Sequence, residues 1–156
     1  MAIPAEAGNA RIRPIEERDA AAWTRLRRLL WPDDVDADAE ARAFFEGPGA
    51  SLTAAAFIAI DESETPLGFV ELSLRNYSDG CTSTPVPHVE GWYVVEEARG
   101  RGIGRGLMSA AEQWARVQGY TELASDTELH NNAALRAHIR AGFEEVERLI
   151  KLRKSL

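Results

Sequence analysis

Between His88 and Gln118 the chain passes from a β-pattern to a helix through Arg99-Gly100-Arg101-Gly102-Ile103-Gly104-Arg105-Gly106, a stretch in which every second residue is glycine. Before it, His88–Val95 (HVEGWYVV) is rich in β-branched and aromatic residues and reads as a strand. After it, Gly104–Gln118 places Leu107, Ala111, Trp114 and Ala115 on one helical face, with Gly119 set for the left-handed cap. A strand that enters a helix through alternating glycines exposes backbone amides and the positive end of the helix dipole where no Cβ blocks a ligand. Arg99, Arg101 and Arg105 would repel one another there unless an anion lay among them. The loop is a diphosphate cradle in chemical terms. It is not a Walker loop, which ends in Gly-Lys-Ser/Thr. Nor is it a dinucleotide fingerprint: G-x-G-x-x-G counted from Gly100 requires glycine at Arg105, and the loop follows the fourth expected strand rather than the first.

The rest of the chain supplies the frame. Ala10–Ile15 (ARIRPI) reads as a short strand, Asp19–Trp31 as a helix stopped by Pro32, and Ala37–Glu46 as a second helix ending at Gly47-Pro48-Gly49. Thr53–Ile60 and Leu67–Leu74 read as a hairpin pair of strands. Asn76–Pro87 reads as a loop long enough to suggest a function of its own. Glycine in a strand interior marks a bulge or a close approach, so Gly91 predicts a bulge in the fourth strand. Glu122–Asp126 is expected as a strand, Asn131–Ala141 as a helix closed by Gly142, and Phe143–Lys154 as the last strand or pair of strands. The order gives an α/β fold: a mixed, mostly antiparallel sheet flanked by helices.

With 156 residues the chain is expected to form one domain over residues 1–156. Apolar runs are too short for a transmembrane helix, and the N-terminus lacks the pattern of a signal peptide. Cys81, the sole cysteine, has no internal partner and no zinc-binding company, so no metal and a reducing, cytoplasmic setting are expected. A net charge of −7 argues against tracking nucleic-acid phosphates. The acidic run Asp33, Asp34, Asp36, Asp38 and Glu40 reads either as a solvated helix start or as a rim attracting a cationic substrate.

The loop R-G-R-G-I-G resembles the R/Q-x-x-G-x-G/A loop of the GCN5-related N-acetyltransferases, whose amides hold the pyrophosphate of acetyl-CoA. Asn131-x-x-Ala134 and Gly142-Phe143 resemble the second motif of that superfamily. A narrower resemblance, to the aminoglycoside 6′-N-acetyltransferases, rests on His88–Val94 (HVEGWYV), Leu123–Thr127 (LASDT), Gly142–Arg148 (GFEEVER), Leu30-Trp31-Pro32 and Asn76–Cys81 (NYSDGC). It implies direct acetyl transfer from acetyl-CoA to an amine of a cationic aminoglycoside, the GNAT fold, and a homodimer formed through C-terminal strands. The alternatives are a GNAT enzyme acting on another amine, such as a polyamine or a protein N-terminus, and a silent acyl-CoA-binding module.

Residue roles follow from that resemblance. Backbone at Trp92, Tyr93 and Val94, the loop residues Arg99, Gly100, Arg101, Gly102, Ile103, Gly104 and Arg105, and Asn131 are expected to bind the cofactor. Glu90 is expected beside the chemistry, as a group that helps deprotonate the amine directly or through water. Asp126, at the C-terminal end of a strand, is expected to orient the substrate's ammonium groups; its other reading is a helix cap, a role that Asn131 is better placed to fill. Glu147 matches an acid that reaches the sugar rings but equally fits a surface strand. Trp31 and Tyr77 match pocket-lining positions, and Trp31 also fits the core. His138 stands where many superfamily members carry the tyrosine that protonates the leaving thiolate, so it is either that acid or a structural histidine. Cys81 and His88 lack a third partner at a recognisable spacing.

Overall fold

Six strands form one sheet in the computed structural model, which describes residues 5–156. They are β1 (Ala5–Ala7), β2 (Ala10–Pro14), β3 (Thr53–Ile60), β4 (Pro66–Arg75), β5 (Val86–Val94) and β6 (Ala124–Ser125), side by side in sequence order. Every neighbouring pair is antiparallel except β5 and β6. A parallel pair needs a crossover connection. Here the crossover is the glycine loop and helix α3 (Ile103–Val117). Helices α1 (Ala20–Leu30) and α2 (Ala37–Glu46) cover the opposite face, and α4 (Asn132–Arg140) follows β6.

Side chains alternate across a strand, so β3 feeds two cores. Ala55, Phe57 and Ala59 pack under α3 with Val70, Leu72 and Val89, while Ala56, Ile58 and Ile60 join Trp23, Leu26 and Phe69 beneath α1 and α2. Burial on both faces explains why this strand reads as an apolar run, TAAAFIAI, rather than an alternation. Helix α3 lies very close to the sheet: a Cβ on Gly106 would stand 2.5 Å from Cδ1 of Ile12.

The expected helix Ala37–Glu46 and strand Thr53–Ile60 form with those bounds. The structure departs from expectation in three places. A short strand, β1, precedes the first expected one. The Glu122–Asp126 strand contracts to Ala124–Ser125. Residues 143–154 form neither strand nor helix. The last two departures share a cause, since a two-residue β6 offers almost no edge for a further strand to pair with. Val146, Leu149, Ile150 and Leu152 are consequently exposed. Among the described residues no helix is long and apolar enough to cross a membrane.

Candidate active site

The site begins with a break in register. On β4, Glu71 pairs with Gly91 while the next residue, Leu72, pairs with Val89, so Glu90 is the extra residue of a β-bulge. On the other side β5 pairs with β6 only through His88–Ala124 and Val89–Ser125. Pairing therefore ends where the bulge begins, and the edge of β5 beyond Val89 is left without a ladder partner. A slot opens between β5 and the end of β6. Gly91 is required at its rim: a Cβ there would lie 2.7 Å from Cη2 of Trp31 and 2.9 Å from Cε2 of Phe69.

The cradle lies on the α3 side of this slot. Gly100 (φ +75°) and Gly102 (φ +82°) are left-handed, and Gly102 is the N-cap of α3. The first helical bond runs from the amide of Gly106 to the carbonyl of Gly102, leaving the amides of Ile103, Gly104 and Arg105 ahead of it. A Cβ built on Gly100 or Gly102 would meet nothing within 4 Å, so the loop's surface is open to a ligand. Arg99 donates from Nε to the carbonyl of Val94 at 2.9 Å and lies over the ring of Tyr93, and Arg101 donates to the carbonyl of Glu97 at 2.7 Å. Arg105 is exposed on the first turn of α3, while Ile103 is buried beneath it. Trp92 ties strand to helix by donating Nε1–H to the carbonyl of Gly104 at 2.9 Å. These features fit a diphosphate held by amides and flanked by guanidinium groups.

Carboxylates collect on the α1 side. Glu90 is held in a fork by Arg75 (Nε to Oε1 2.9 Å, Nη2 to Oε2 2.8 Å) and accepts the hydroxyl of Ser73. Burial alone would raise its pKa, but the bonds from Arg75 and Ser73 outweigh burial and hold it below the usual carboxylate range. The same contacts make Glu90 a weak proton acceptor. Asp126 follows the last residue of β6; its Oδ2 lies 3.4 Å from Nε2 of His88 and 3.9 Å from Nη1 of Arg75. His88, offset in part by burial and helped by Lys151 and Arg75, holds Asp126 low as well. Trp31 packs its ring edge against Gly91 and Phe69. Tyr77 is exposed and donates its hydroxyl to Asp79 at 2.7 Å, a bond that raises the phenol's pKa. Glu147 is exposed on the C-terminal segment, near enough for its charge to act on Tyr77.

Beneath this surface lies a buried charged network. Trp23 donates Nε1–H to Glu71 at 2.9 Å, and the guanidinium of Arg27 lies 3.5 Å from Glu71 while also pairing with Glu40 and Asp34. Arg27 also stands 5.5 Å from the ring centre of Trp31. The network thus joins α1, α2 and β4 under the carboxylate side of the slot.

His138, on α4, lies on the cradle side of the sheet. Its ring meets Trp92 and Phe143 edge-on. Nδ1 donates to the carbonyl of Ala134 at 2.8 Å, and Nε2 lies 2.8 Å from the hydroxyl of Ser125. Asn131 caps α4 by accepting the amide of Ala134 at 3.0 Å. The thiol of Cys81 is pushed up by burial and by Glu122, the reverse of what a nucleophile needs. Sequence reasoning missed Arg75, Ser73 and Ser125, because each acts through a neighbour on another strand or helix.

The GNAT acetyltransferase family model matches residues 21–143, a span that holds the bulge, the cradle and both carboxylates. The chain belongs to the GNAT family. Among relatives of this GNAT chain, an aminoglycoside N(6')-acetyltransferase type 1 from Klebsiella aerogenes is 46% identical over 147 residues, covering 93% of this chain and 96% of the relative. Aminoglycoside N-acetyltransferase AAC(6')-Iy in complex with CoA superposes with a TM-score of 0.86 at 32% identity, covering 99% of each chain. AAC(6')-Iy in complex with the bisubstrate analog CoA-S-monomethyl-acetylneamine gives a TM-score of 0.84 at 34% identity, over 93% of this chain and 97% of that one. The slot lies where the bulged strand β5 loses its pairing with its parallel neighbour β6.

Proposed function

We infer that this chain is an acetyl-CoA-dependent aminoglycoside 6′-N-acetyltransferase, which transfers the acetyl group directly to the amine and so confers antibiotic resistance. One observation carries the mechanism: a left-handed glycine cradle and a pair of ionised carboxylates stand on opposite faces of a single gap between β5 and β6. Acetyl-CoA, when bound, supplies the thioester. The amides of Ile103, Gly104 and Arg105, with the three loop arginines, hold its diphosphate. Backbone at Trp92, Tyr93 and Val94, together with Asn131, lines the cofactor's path, and the backbone at the bulge polarises the carbonyl under attack. Asp126 receives the substrate's ammonium groups. Glu90, kept ionised by Arg75 and Ser73, acts as a fixed anion beside the amine rather than as the base that takes its proton. Trp31, Tyr77 and Glu147 border the acceptor. His138 stands against the Ser125 hydroxyl on the side where the thiolate departs.

Release of free thiol on mixing the protein with acetyl-CoA and kanamycin tests the reading, with spermidine as the competing acceptor. No thiol with kanamycin, tobramycin or amikacin would overturn it, and thiol with spermidine alone would reassign the acceptor. A homodimer is supported by the exposed apolar residues Leu149, Ile150 and Leu152, which a second copy would cover. Gel filtration at the monomer mass of 17.2 kDa would remove that reading. A cytoplasmic location is supported by the cosubstrate and by the lone reduced cysteine.

A further inference from the structure

His88 stands on β5 opposite Ser73 of β4 and Ala124 of β6, on the face that carries Glu90 and Arg75. It is 2% exposed, and neither ring nitrogen has an aligned hydrogen bond, although Nε2 lies 3.4 Å from Oδ2 of Asp126. Buried polar atoms without partners are rare because they give up hydration for nothing. A position that needed only bulk would be filled by leucine or phenylalanine, with no nitrogen to desolvate. An imidazole edge turned toward a carboxylate 3.4 Å away has a different use. Oδ2 of Asp126 is approached from within by His88 and by Arg75, and Arg75 is kept at 3.9 Å by its fork on Glu90. Both inward donors therefore address one oxygen of a side chain that is 64% exposed, with Lys151 the other cation that acts on the carboxylate; Oδ1 takes no bond from within.

We propose that His88 is a positioning residue for Asp126. Its Nε2–H fixes the carboxylate at the end of β6 with Oδ1 turned to the acceptor, and so sets the affinity for the cationic substrate. When an ammonium engages Oδ1, the carboxylate settles onto Nε2 and the bond becomes aligned. His88 itself touches neither substrate. The proposal rests on Asp126 being the acceptor's ligand.

The experiment is steady-state kinetics with kanamycin and acetyl-CoA on three variants, with circular dichroism to confirm folding. His88→Phe keeps a ring but removes the donor; its KM for kanamycin should rise about tenfold, the scale of one hydrogen bond to a charge, with kcat and the KM for acetyl-CoA nearly unchanged. His88→Gln, whose amide reaches the Nε2 position, should restore most of the affinity. His88→Asn, whose amide reaches only the Nδ1 position, should not, and it replaces the Phe variant should that one fail to fold. In an Asp126→Asn background the loss of His88 should cost little more, because the partner is already gone. An unaltered KM in His88→Phe would overturn the proposal while leaving the enzyme's function intact. So would equal losses in the Gln and Asn variants, or parallel increases in both Michaelis constants, since these mark a merely structural residue. A wild-type protein that neither binds nor acetylates kanamycin would instead sink the functional reading, and the proposal with it.

Discussion

Replacing Glu71 by glutamine should flatten the pH dependence of stability in a calculable way. The Glu71 side chain is 3% exposed, and burial pushes its pKa from the ordinary 4.5 to about 7, even with Arg27 and the indole of Trp23 pulling it down. The folded protein thus holds this proton more tightly than the unfolded chain does. Between pH 4.5 and 7 the folded state carries more protons, so the unfolding free energy falls as pH rises through that window and levels off above it. Linkage over a displacement of this size gives a loss of about 2.5 kcal/mol between pH 5 and pH 8. Glu71→Gln cannot titrate, yet its amide oxygen can still accept the Trp23 indole. Groups whose charges do not act on Glu71, such as Asp126, contribute equally to both proteins and cancel in the comparison. Urea denaturation of the two proteins at pH 5, 6, 7 and 8 gives the difference directly. Wild type should lose ground to the variant by about 2.5 kcal/mol across that range. A constant difference would show that Glu71 does not change its protonation on folding. A difference of the opposite sign would show that the ion pair with Arg27 outweighs burial.

Four further outcomes are expected. Gly102→Val places a β-branched residue at φ +82° on the cradle's open surface, and it should raise the KM for acetyl-CoA about tenfold or more; a folded variant with normal cofactor affinity would refute the cradle. Asp126→Asn should weaken kanamycin binding by about ten- to a hundred-fold and spare acetyl-CoA, measured by titration calorimetry. Glu90→Gln should weaken kanamycin binding but leave the acidic limb of the turnover profile in place between pH 6 and 9, because Arg75 and Ser73 already hold Glu90 ionised there; loss of that limb would restore Glu90 as the base. Gly91→Ala forces a methyl into the rings of Trp31 and Phe69 and should lower stability by about 1–3 kcal/mol, read from the shift in urea midpoint.

The helix Ala37–Glu46 and the strand Thr53–Ile60 were legible because local signals, Gly47 at one end and a dense apolar run in the other, agree with what tertiary packing requires. The bulge was legible from Gly91 alone, though which residue is extra, Glu90, depends on a register that only pairing with β4 defines. The three residues of β1 carry no pattern to read. The segment 143–154 has strand-like composition, but composition cannot report that β6 leaves it no edge to join. At the site, Glu90 stands out as an acid between Val89 and Trp92 in a strand pattern, and Asp126 by its place at the C-terminal end of an expected strand and in the LASDT string. Arg75 falls between the expected strand Leu67–Leu74 and the expected loop Asn76–Pro87, and His88 has no recognisable partner in the sequence, because their partners lie 15 and 38 positions away in the chain. Glu71 was hidden for the same reason: its indole donor is 48 residues distant.

Ser125 and Asp126 are consecutive, yet one reaches His138 on the cradle side and the other His88 on the carboxylate side. The sheet is in effect a partition, and this dipeptide is its hinge-pin. Under the proposed function, what recognises the cofactor hangs from α3 and α4, while what recognises the acceptor hangs from the end of α1, from the bulge and from the ends of β4 and β6. Selection can therefore rework one chamber without disturbing the other. Variants that broaden the range of drugs inactivated should accumulate around Trp31, Tyr77 and Arg75, leaving the turn from Arg99 to Gly106 untouched. An inhibitor lodged wholly in the cofactor chamber would meet the same walls in every such variant, whichever antibiotic had driven its emergence.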